Sequence, residues 1–215
     1  MHRGYIFDMD GVLTDTVEMH YKAWKRLLDE ENIPFNREIN EKLRGLTRRD
    51  SLEVVMNTQD YSESQLQEFM TRKNGYFREM MQTITPQSLL PGIADLFAQA
   101  KAEGIKLAVG SSSRNARDVC EKLGVLNQLN AFGDAYSIVN PKPAPDIFLW
   151  VAGSLGLNPR DCLVFEDAAA GVEAALAGGF WTCGIGPEAR VGNAHWVRPD
   201  LNGVKVSDFD SEESA

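Results

Sequence analysis

Two acids two positions apart, Asp8 and Asp10, follow the short apolar run Tyr5-Ile6-Phe7. On an extended segment such residues face the same side, about 6 to 7 Å apart at the Cα level, so one ligand can receive both carboxylates. With a third acid they make a hard oxygen site suited to Mg2+. A solvated pair of loop acids has the same appearance, and a calcium-binding EF-hand loop is a further alternative. The EF-hand needs glycine at its sixth position, whereas Gly11 stands fourth and the apolar Val12-Leu13 follow it. The third acid comes from Glu166-Asp167, which ends a second apolar run, Leu163-Val164-Phe165. Acids closing two strands of one sheet suggest a metal, though Glu166 could equally orient a ligand or cap the next helix.

Ser111-Ser112-Ser113 closes another apolar run, where hydroxyls and the free amides of a helix start could hold a phosphate. A serine run alone is more often an ordinary loop. Lys142 lies in Pro141-Lys142-Pro143-Ala144-Pro145, whose prolines fix the backbone around it. A lysine so placed could neutralise an oxyanion, or simply be solvated.

The elements that must position these residues follow from hydrophobic spacing. Tyr5–Phe7, 105–109, 162–165 and 180–185 read as buried strands, separated by helical patterns such as Ile93, Leu96, Phe97, Ala100 ending near Gly104. Strands alternating with helices predict a doubly wound, Rossmann-like α/β fold with a parallel sheet. Between Asp15 and about Thr85 the strand signals stop. Val17, Tyr21, Trp24, Leu27, Leu28 and Leu66, Phe69, Met70, Lys73, Tyr76, Phe77, Met80 fall at helical spacing instead. The prediction is an α-helical cap at 16–84 inserted into a core of 1–15 and 85–215. The insertion begins at an Asp15 N-cap and returns through Thr85-Pro86 and Leu90-Pro91-Gly92. It leaves after the first strand and returns before the second, so it lies over the carboxyl edge, where open α/β sheets bind ligands.

The 215 residues are 43% hydrophobic and 25% charged, with a formal charge of −9. That balance disfavours a nonspecific nucleic-acid or anionic-membrane partner. No stretch approaches the ~20 apolar residues of a membrane span, and the expected location is cytoplasmic. Cys120, Cys162 and Cys183 lack C-x-x-C spacing and are expected to be reduced and packed. The tail from Ser207 to Ala215 is expected to fray.

In order and spacing, four motifs resemble the haloacid dehalogenase superfamily of phosphotransferases. They are Asp8-x-Asp10-Gly11-Val12-x-Thr14-Asp15, Ser111 after a strand, Lys142-Pro143-x-Pro145-Asp146, and Glu166-Asp167-x-x-x-Gly171. The resemblance covers essentially the whole chain. It implies that Asp8 is a nucleophile forming an aspartyl-phosphate, and that Asp10 is the general acid/base. Ser111 and Lys142 would hold the transferring phosphoryl group. Asp8, the Asp10 carbonyl and Asp167 would coordinate Mg2+, with Glu166 either a ligand or one layer out.

Within the superfamily the inserted segment resembles the β-phosphoglucomutase branch through Thr14-Asp15-Thr16, His20, Ala23-Trp24-Lys25, Gly45-Leu46-Thr47-Arg48-Arg49-Asp50-Ser51-Leu52, Arg72-Lys73-Asn74 and Ser111-Ser112-Ser113-Arg114-Asn115. By that resemblance Arg48, with Ser113 and Asn115, clamps the non-transferring phosphate, and Ser112 lies beside them. Lys73, Trp24 and the Gly45-Leu46 backbone line a sugar pocket, and Thr16 and His20 help to swing Asp10 into place. Plainer readings stand beside these: His20 and Trp24 as core residues, Lys73 as an exposed helix charge, one of Arg48 and Arg49 as solvated. The implied reaction interconverts β-glucose 1-phosphate and glucose 6-phosphate through β-glucose 1,6-bisphosphate. The alternative is a Mg2+-dependent phosphatase of the same fold acting on a small sugar phosphate. A phosphate-binding regulator without turnover is a third reading, disfavoured because every catalytic position is filled. The expected partner is a small-molecule sugar phosphate, and the expected state a monomer. Two departures from the branch pattern are the short segment from Phe132 to Lys142 and Arg114 where lysine is frequent.

Overall fold

A computed structural model describes residues 2–210. Its centre is a parallel sheet of six strands: β1 (Gly4–Phe7), β2 (Lys106–Gly110), β3 (Ala131–Gly133), β4 (Cys162–Glu166), β5 (Trp181–Ile185) and β6 (Trp196–Arg198). The spatial order is β3-β2-β1-β4-β5-β6, so the chain builds outward from β1 on one side and then crosses to the other. Strand side chains alternate between two apolar layers. Tyr5, Phe7, Leu107, Val109, Leu163 and Phe165 pack with α5 (Ile93–Ala102) and α6 (Ala116–Lys122). Ile6, Ala108 and Val164 pack on the opposite face with α7 (Asp146–Leu155) and α8 (Ala169–Ala177). Phe7 and Phe165 stack with ring centroids 4.5 Å apart, tying β1 to β4 directly beneath the acids that follow them. Burial of each such side chain contributes about 1.5 to 3 kcal/mol. A short helix, α9 (Glu188–Val191), follows β5.

Between β1 and β2 the chain forms α1 (Val17–Glu30), α2 (Arg37–Glu41), α3 (Arg48–Val55) and α4 (Glu63–Met81). Trp24, Leu27, Leu28, Leu52, Leu66 and Phe69 give this segment an apolar cluster of its own. The long α4 begins at a capping box in which the Ser62 hydroxyl and the Gln65 side chain each satisfy the other residue's backbone N–H.

The α/β architecture with an inserted helical segment is the one the sequence predicts, with three local differences. Asp15 does not cap α1: the N-cap position is Thr16, whose hydroxyl is turned to Asp10. Strands β3 and β6, three residues each, are too short to carry a hydrophobic period. The tail does not fray at Ser207, because 206–209 form a helical turn that buries Phe209 against Tyr5, Phe165 and Trp196. Residues 211–215 lie outside the described residues. The three cysteines are free and buried, as expected.

Candidate active site

Asp8, Ser111 and Glu166-Asp167 stand at the carboxyl ends of β1, β2 and β4, three adjacent central strands at the point where strand order reverses. The Asp8 N–H donates to the Phe165 carbonyl at 2.9 Å, which seats the residue between β1 and β4. Lys142 is not a solvated lysine: its side chain is fully buried, and Nζ donates to Asp8 Oδ1 at 2.6 Å and to Glu166 Oε2 at 2.7 Å. A third, longer bond reaches the Gly110 carbonyl at 3.4 Å. Glu166 also accepts the Ala168 N–H at 3.1 Å, so it steadies the start of α8 as well as pairing with Lys142. Ser111 is fully buried, its N–H donating to the Gly133 carbonyl and its hydroxyl accepting the Ser113 N–H.

Asp8, Glu166 and Asp167 offer carboxylate oxygens that all lie within 4.8 Å of one another. Asp10 is not part of that carboxylate cluster. Its side chain is turned instead to the Thr16 hydroxyl, which donates to it, and His20 Nε2 lies 3.6 Å away. Close packing fixes the acids. A Cβ on Gly171 would fall 2.0 Å from Glu166 Cδ, and one on Gly11, at φ +80°, 2.2 Å from Asp167 Oδ2.

The electrostatics follow from burial. Burial raises the Asp8 carboxyl above its ordinary range, against the attraction of Lys142. Burial and the Asp8 charge push Glu166 up to about 8, and the same two causes push Asp167 up to about 7 against Arg44 and Arg190. Burial also acts on Asp10, but His20 and Thr16 outweigh it and hold that carboxyl below the usual value. Burial would lower Lys142, yet Asp8 and Glu166 raise it, so it stays charged.

A cavity of about 550 Å³ opens above Asp8, Asp10 and Asp167. Trp24, His20, Lys73, Gly45, Leu46 and Arg48 reach it from the inserted helices, and Ser112 and Ser113 from the loop after β2. Lys73 is buried rather than an exposed helix charge, its Nζ 2.6 Å from His20 Nδ1 and 5.0 Å from the Trp24 ring centroid. Burial, then the nearby Arg48, drives its pKa well below that of a free lysine. Burial and Lys73 lower His20, which is therefore neutral, so Nδ1 accepts from Lys73 and Nε2–H faces Asp10. His20 and Trp24 are thus both packed residues and cavity walls.

The adjacent arginines differ in their partners. Arg49 is paired to Glu53 and Glu63, whereas Arg48 has no carboxylate partner among the described residues and donates to the Asn74 side-chain oxygen, Oδ1, at 2.7 Å. The Asn115 amide donates to that same oxygen at 3.0 Å, and its N–H to the Ser113 hydroxyl at 3.2 Å. Thr16 and Asn115 do not line the cavity themselves; they act through Asp10 and through Asn74. Asn74 is therefore a residue that motif reasoning quotes but does not assign. Arg44, just before the quoted Gly45-Leu46 motif, is missed altogether; it donates to Asp167 Oδ2 at 2.5 Å from the inserted segment.

Residues 2–179 match the family model described as haloacid dehalogenase-like hydrolase. The chain belongs to that family. It is 40% identical over 188 residues to the β-phosphoglucomutase of Bacillus subtilis, covering 86% of this chain and 83% of that protein. It is 31% identical to the phosphorylated carbohydrates phosphatase of Thermotoga maritima, covering 81% and 80%. The crystal structure of β-phosphoglucomutase from Clostridium difficile matches with a TM-score of 0.93 at 33% identity, covering 99% of this chain and 97% of that one. The chain is thus an enzyme of the phosphoglucomutase and sugar-phosphatase group of haloacid dehalogenase-like proteins. Enzymes of this family generally use Mg2+. Three buried carboxylates within 4.8 Å of one another, with buried Lys142 and half-buried Arg44 supplying fewer charges than they carry, form a donor set that fits such a hard cation. No helix among the described residues is long and apolar enough to cross a membrane.

Proposed function

We propose that this enzyme is a β-phosphoglucomutase, interconverting β-glucose 1-phosphate and glucose 6-phosphate by way of β-glucose 1,6-bisphosphate. The observation that carries the reading is the pairing of two anion-binding groups in one cavity. Asp8, backed by Lys142 and Ser111, forms one, and Arg48 with Ser113 and Arg114 the other; among the described residues no hydrogen bond or ion pair joins Asp8 to Arg48, and the bond from the Ser113 N–H to the Ser111 hydroxyl links the two groups. A phosphatase needs one phosphate site. A mutase whose intermediate carries a phosphate at each end needs two.

In this mechanism an Asp8 oxygen attacks the phosphorus of the bisphosphate, a new oxygen–phosphorus bond forms, and the bond to the sugar oxygen breaks. Asp10 protonates the departing sugar oxygen and in the second half-reaction removes the proton of the attacking hydroxyl. Lys142 holds Asp8 in line and neutralises it, while Ser111 offers its hydroxyl to the transferring group. Asp8, Asp167, Glu166 and the Asp10 carbonyl would hold Mg2+, which when bound neutralises the phosphoryl oxygens. Arg48 and Ser113 grip the far phosphate, with Asn115 steadying Ser113 directly and Arg48 through Asn74; Lys73, Trp24 and the Gly45-Leu46 backbone face the sugar. Residues 16–84 act as a lid over a core of 1–15 and 85–215, excluding the water that would hydrolyse phospho-Asp8. Work on a soluble metabolite by a monomer in the cytoplasm accords with this reading.

The test is mass spectrometry of the protein after incubation with Mg2+ and β-glucose 1,6-bisphosphate. One phosphoryl group should appear on the peptide containing Asp8 and be missing from Asp8→Asn. A phosphoryl group elsewhere, or undiminished turnover by Asp8→Asn, would overturn the assignment.

A further inference from the structure

Four charged residues form a closed ring across the boundary between the inserted helices and the sheet, three of its links between charged side chains and the fourth to a backbone carbonyl. Arg44 Nη1 donates to Asp167 Oδ2 at 2.5 Å, and Arg44 Nε lies 2.9 Å from Glu41 Oε1. Arg190 Nη1 donates to that same Glu41 oxygen at 2.7 Å, and Arg190 Nε closes the ring on the Asp167 carbonyl at 2.6 Å. Charge alternates over the first three links. The inserted segment contributes Glu41 and Arg44; the core contributes Asp167 and Arg190.

Two features separate this ring from the substrate cavity. Glu41 and Arg190 do not line that cavity, whereas Arg44 and Asp167 do. Arg44, Asp167 and Arg190 also border a second, smaller cavity of about 180 Å³ on the other side. The Asp167 and Arg44 side chains are 6% and 20% exposed, so those charges are largely withdrawn from water and the pairing between them is weakly screened. Glu41 and Arg44 stand midway along the insertion, distant in sequence from both of its junctions with the core. Of the other described polar links between insertion and core, Asn74 to Asn115, Arg78 to Asp118 and Gln82 to Lys122 run between the α4 region and the α6 region, and Thr16 and His20 reach Asp10 near the first junction.

We propose that Glu41 and Arg190 are positioning residues that fasten the lid over the phosphoryl site and thereby set how phospho-Asp8 divides between sugar and water. The inference rests on the mutase reading above. Glu41 is the shared tether: it anchors Arg44 beside Asp167 and gives Arg190 its hold on the lid. Without it the lid spends more time open and water reaches phospho-Asp8. The side reaction is hydrolysis: a water oxygen bonds to phosphorus, the bond from phosphorus to the Asp8 oxygen breaks, and the water proton passes to Asp10. Inorganic phosphate and free Asp8 result.

The experiment compares wild type, Glu41→Ala, Arg190→Ala, the double variant and Glu41→Asp, each with Mg2+ and β-glucose 1,6-bisphosphate. Inorganic phosphate released is measured against glucose 6-phosphate formed from β-glucose 1-phosphate. Each single alanine variant should raise that ratio by about fivefold or more, in the range of ordinary coupling between sites. The double variant should match the worse single rather than multiply the two, and Glu41→Asp should restore part of the loss. The rate of Asp8 phosphorylation should stay within about twofold, which a generally damaged site would not allow. Ratios within twofold of wild type, or two multiplying effects, would overturn the proposal.

Lid position is read independently by pulsed EPR between nitroxides at Val54→Cys and Ser154→Cys, both exposed while the native cysteines are buried. Glu41→Ala should broaden the distance distribution toward longer values; an unchanged distribution would overturn the ring's role. If wild type releases only inorganic phosphate, the mutase reading fails, and the ring is judged by this distance alone.

Discussion

Replacing Lys142 by methionine keeps the length of the side chain and removes its charge. Nζ is enclosed, bonded to Asp8 and Glu166 at 2.6 and 2.7 Å, so the substitution leaves two buried carboxylates facing each other. Breaking a buried pair by deleting one partner costs about 3 to 5 kcal/mol. At an unfolding entropy of about 2.1 cal/mol/K per residue, the 215 residues give about 0.45 kcal/mol/K, and the melting temperature falls by roughly 7 to 11 °C. The loss has a built-in signature. Below about pH 8 Glu166 already holds a proton, so the cheapest relief for the variant is to protonate Asp8, whose charged form Lys142 favours in wild type. With that one extra proton its deficit shrinks by about 1.4 kcal/mol per pH unit as pH falls. Between pH 7.5 and 5.5 that is about 2.7 kcal/mol, which removes more than half of the deficit. Calorimetry of both proteins without divalent cations at the two pH values measures it. A loss under about 2 °C at pH 7.5, or one of equal size at pH 5.5, would refute the view that Lys142 neutralises a buried carboxylate pair.

Further outcomes follow from the same geometry. Glu166 and Asp167 titrate near 8 and 7 in the folded protein, above their ordinary 4.5 and 3.8. The folded state therefore keeps protons the unfolded state has shed, and stability without cations should fall as pH rises from about 4 to about 8. Added Mg2+ competes with those protons, so its stabilising shift in melting temperature should be larger at pH 8 than at pH 6; the reverse order would contradict the ligand assignment. Gly171→Ala forces a Cβ into Glu166 and should cost about 1 to 3 kcal/mol by thermal unfolding, together with weaker Mg2+ binding by calorimetry. Arg48→Ala should raise the KM for β-glucose 1,6-bisphosphate at least about tenfold, as loss of a charged hydrogen bond predicts, whereas Arg49→Ala should leave it nearly unchanged. Asp10→Ala should slow both phosphorylation and dephosphorylation of Asp8 by about 10² to 10⁴ in rapid-quench experiments.

Much of the core was legible because strand-end acids interrupt apolar runs. Asp8 after Tyr5-Ile6-Phe7 and Glu166-Asp167 after Leu163-Val164-Phe165 mark where buried backbone stops and chemistry can start. The depth of Lys142 was not legible, since its prolines fix local backbone and say nothing of what folds over it. The helical period of α1 and α4 was plain, but on those faces core and cavity residues share one stripe, so coordinates were needed to show that Trp24 is both and that His20 and Lys73 wall the cavity. Asp15 was the expected cap of α1, but the N-cap position falls on Thr16, whose hydroxyl turns to Asp10. Glu41, Arg44 and Arg190 look like surface charges in one dimension. Only the long-range pairing of an inserted segment with the end of β4 gives them meaning.

The central claim is transfer of the phosphoryl group to a sugar hydroxyl rather than to water. Phosphorus NMR of the enzyme with Mg2+, β-glucose 1-phosphate and a trace of β-glucose 1,6-bisphosphate follows both products at once. The account predicts that glucose 6-phosphate accumulates with little inorganic phosphate. Inorganic phosphate as the main product would contradict it and make the enzyme a phosphatase.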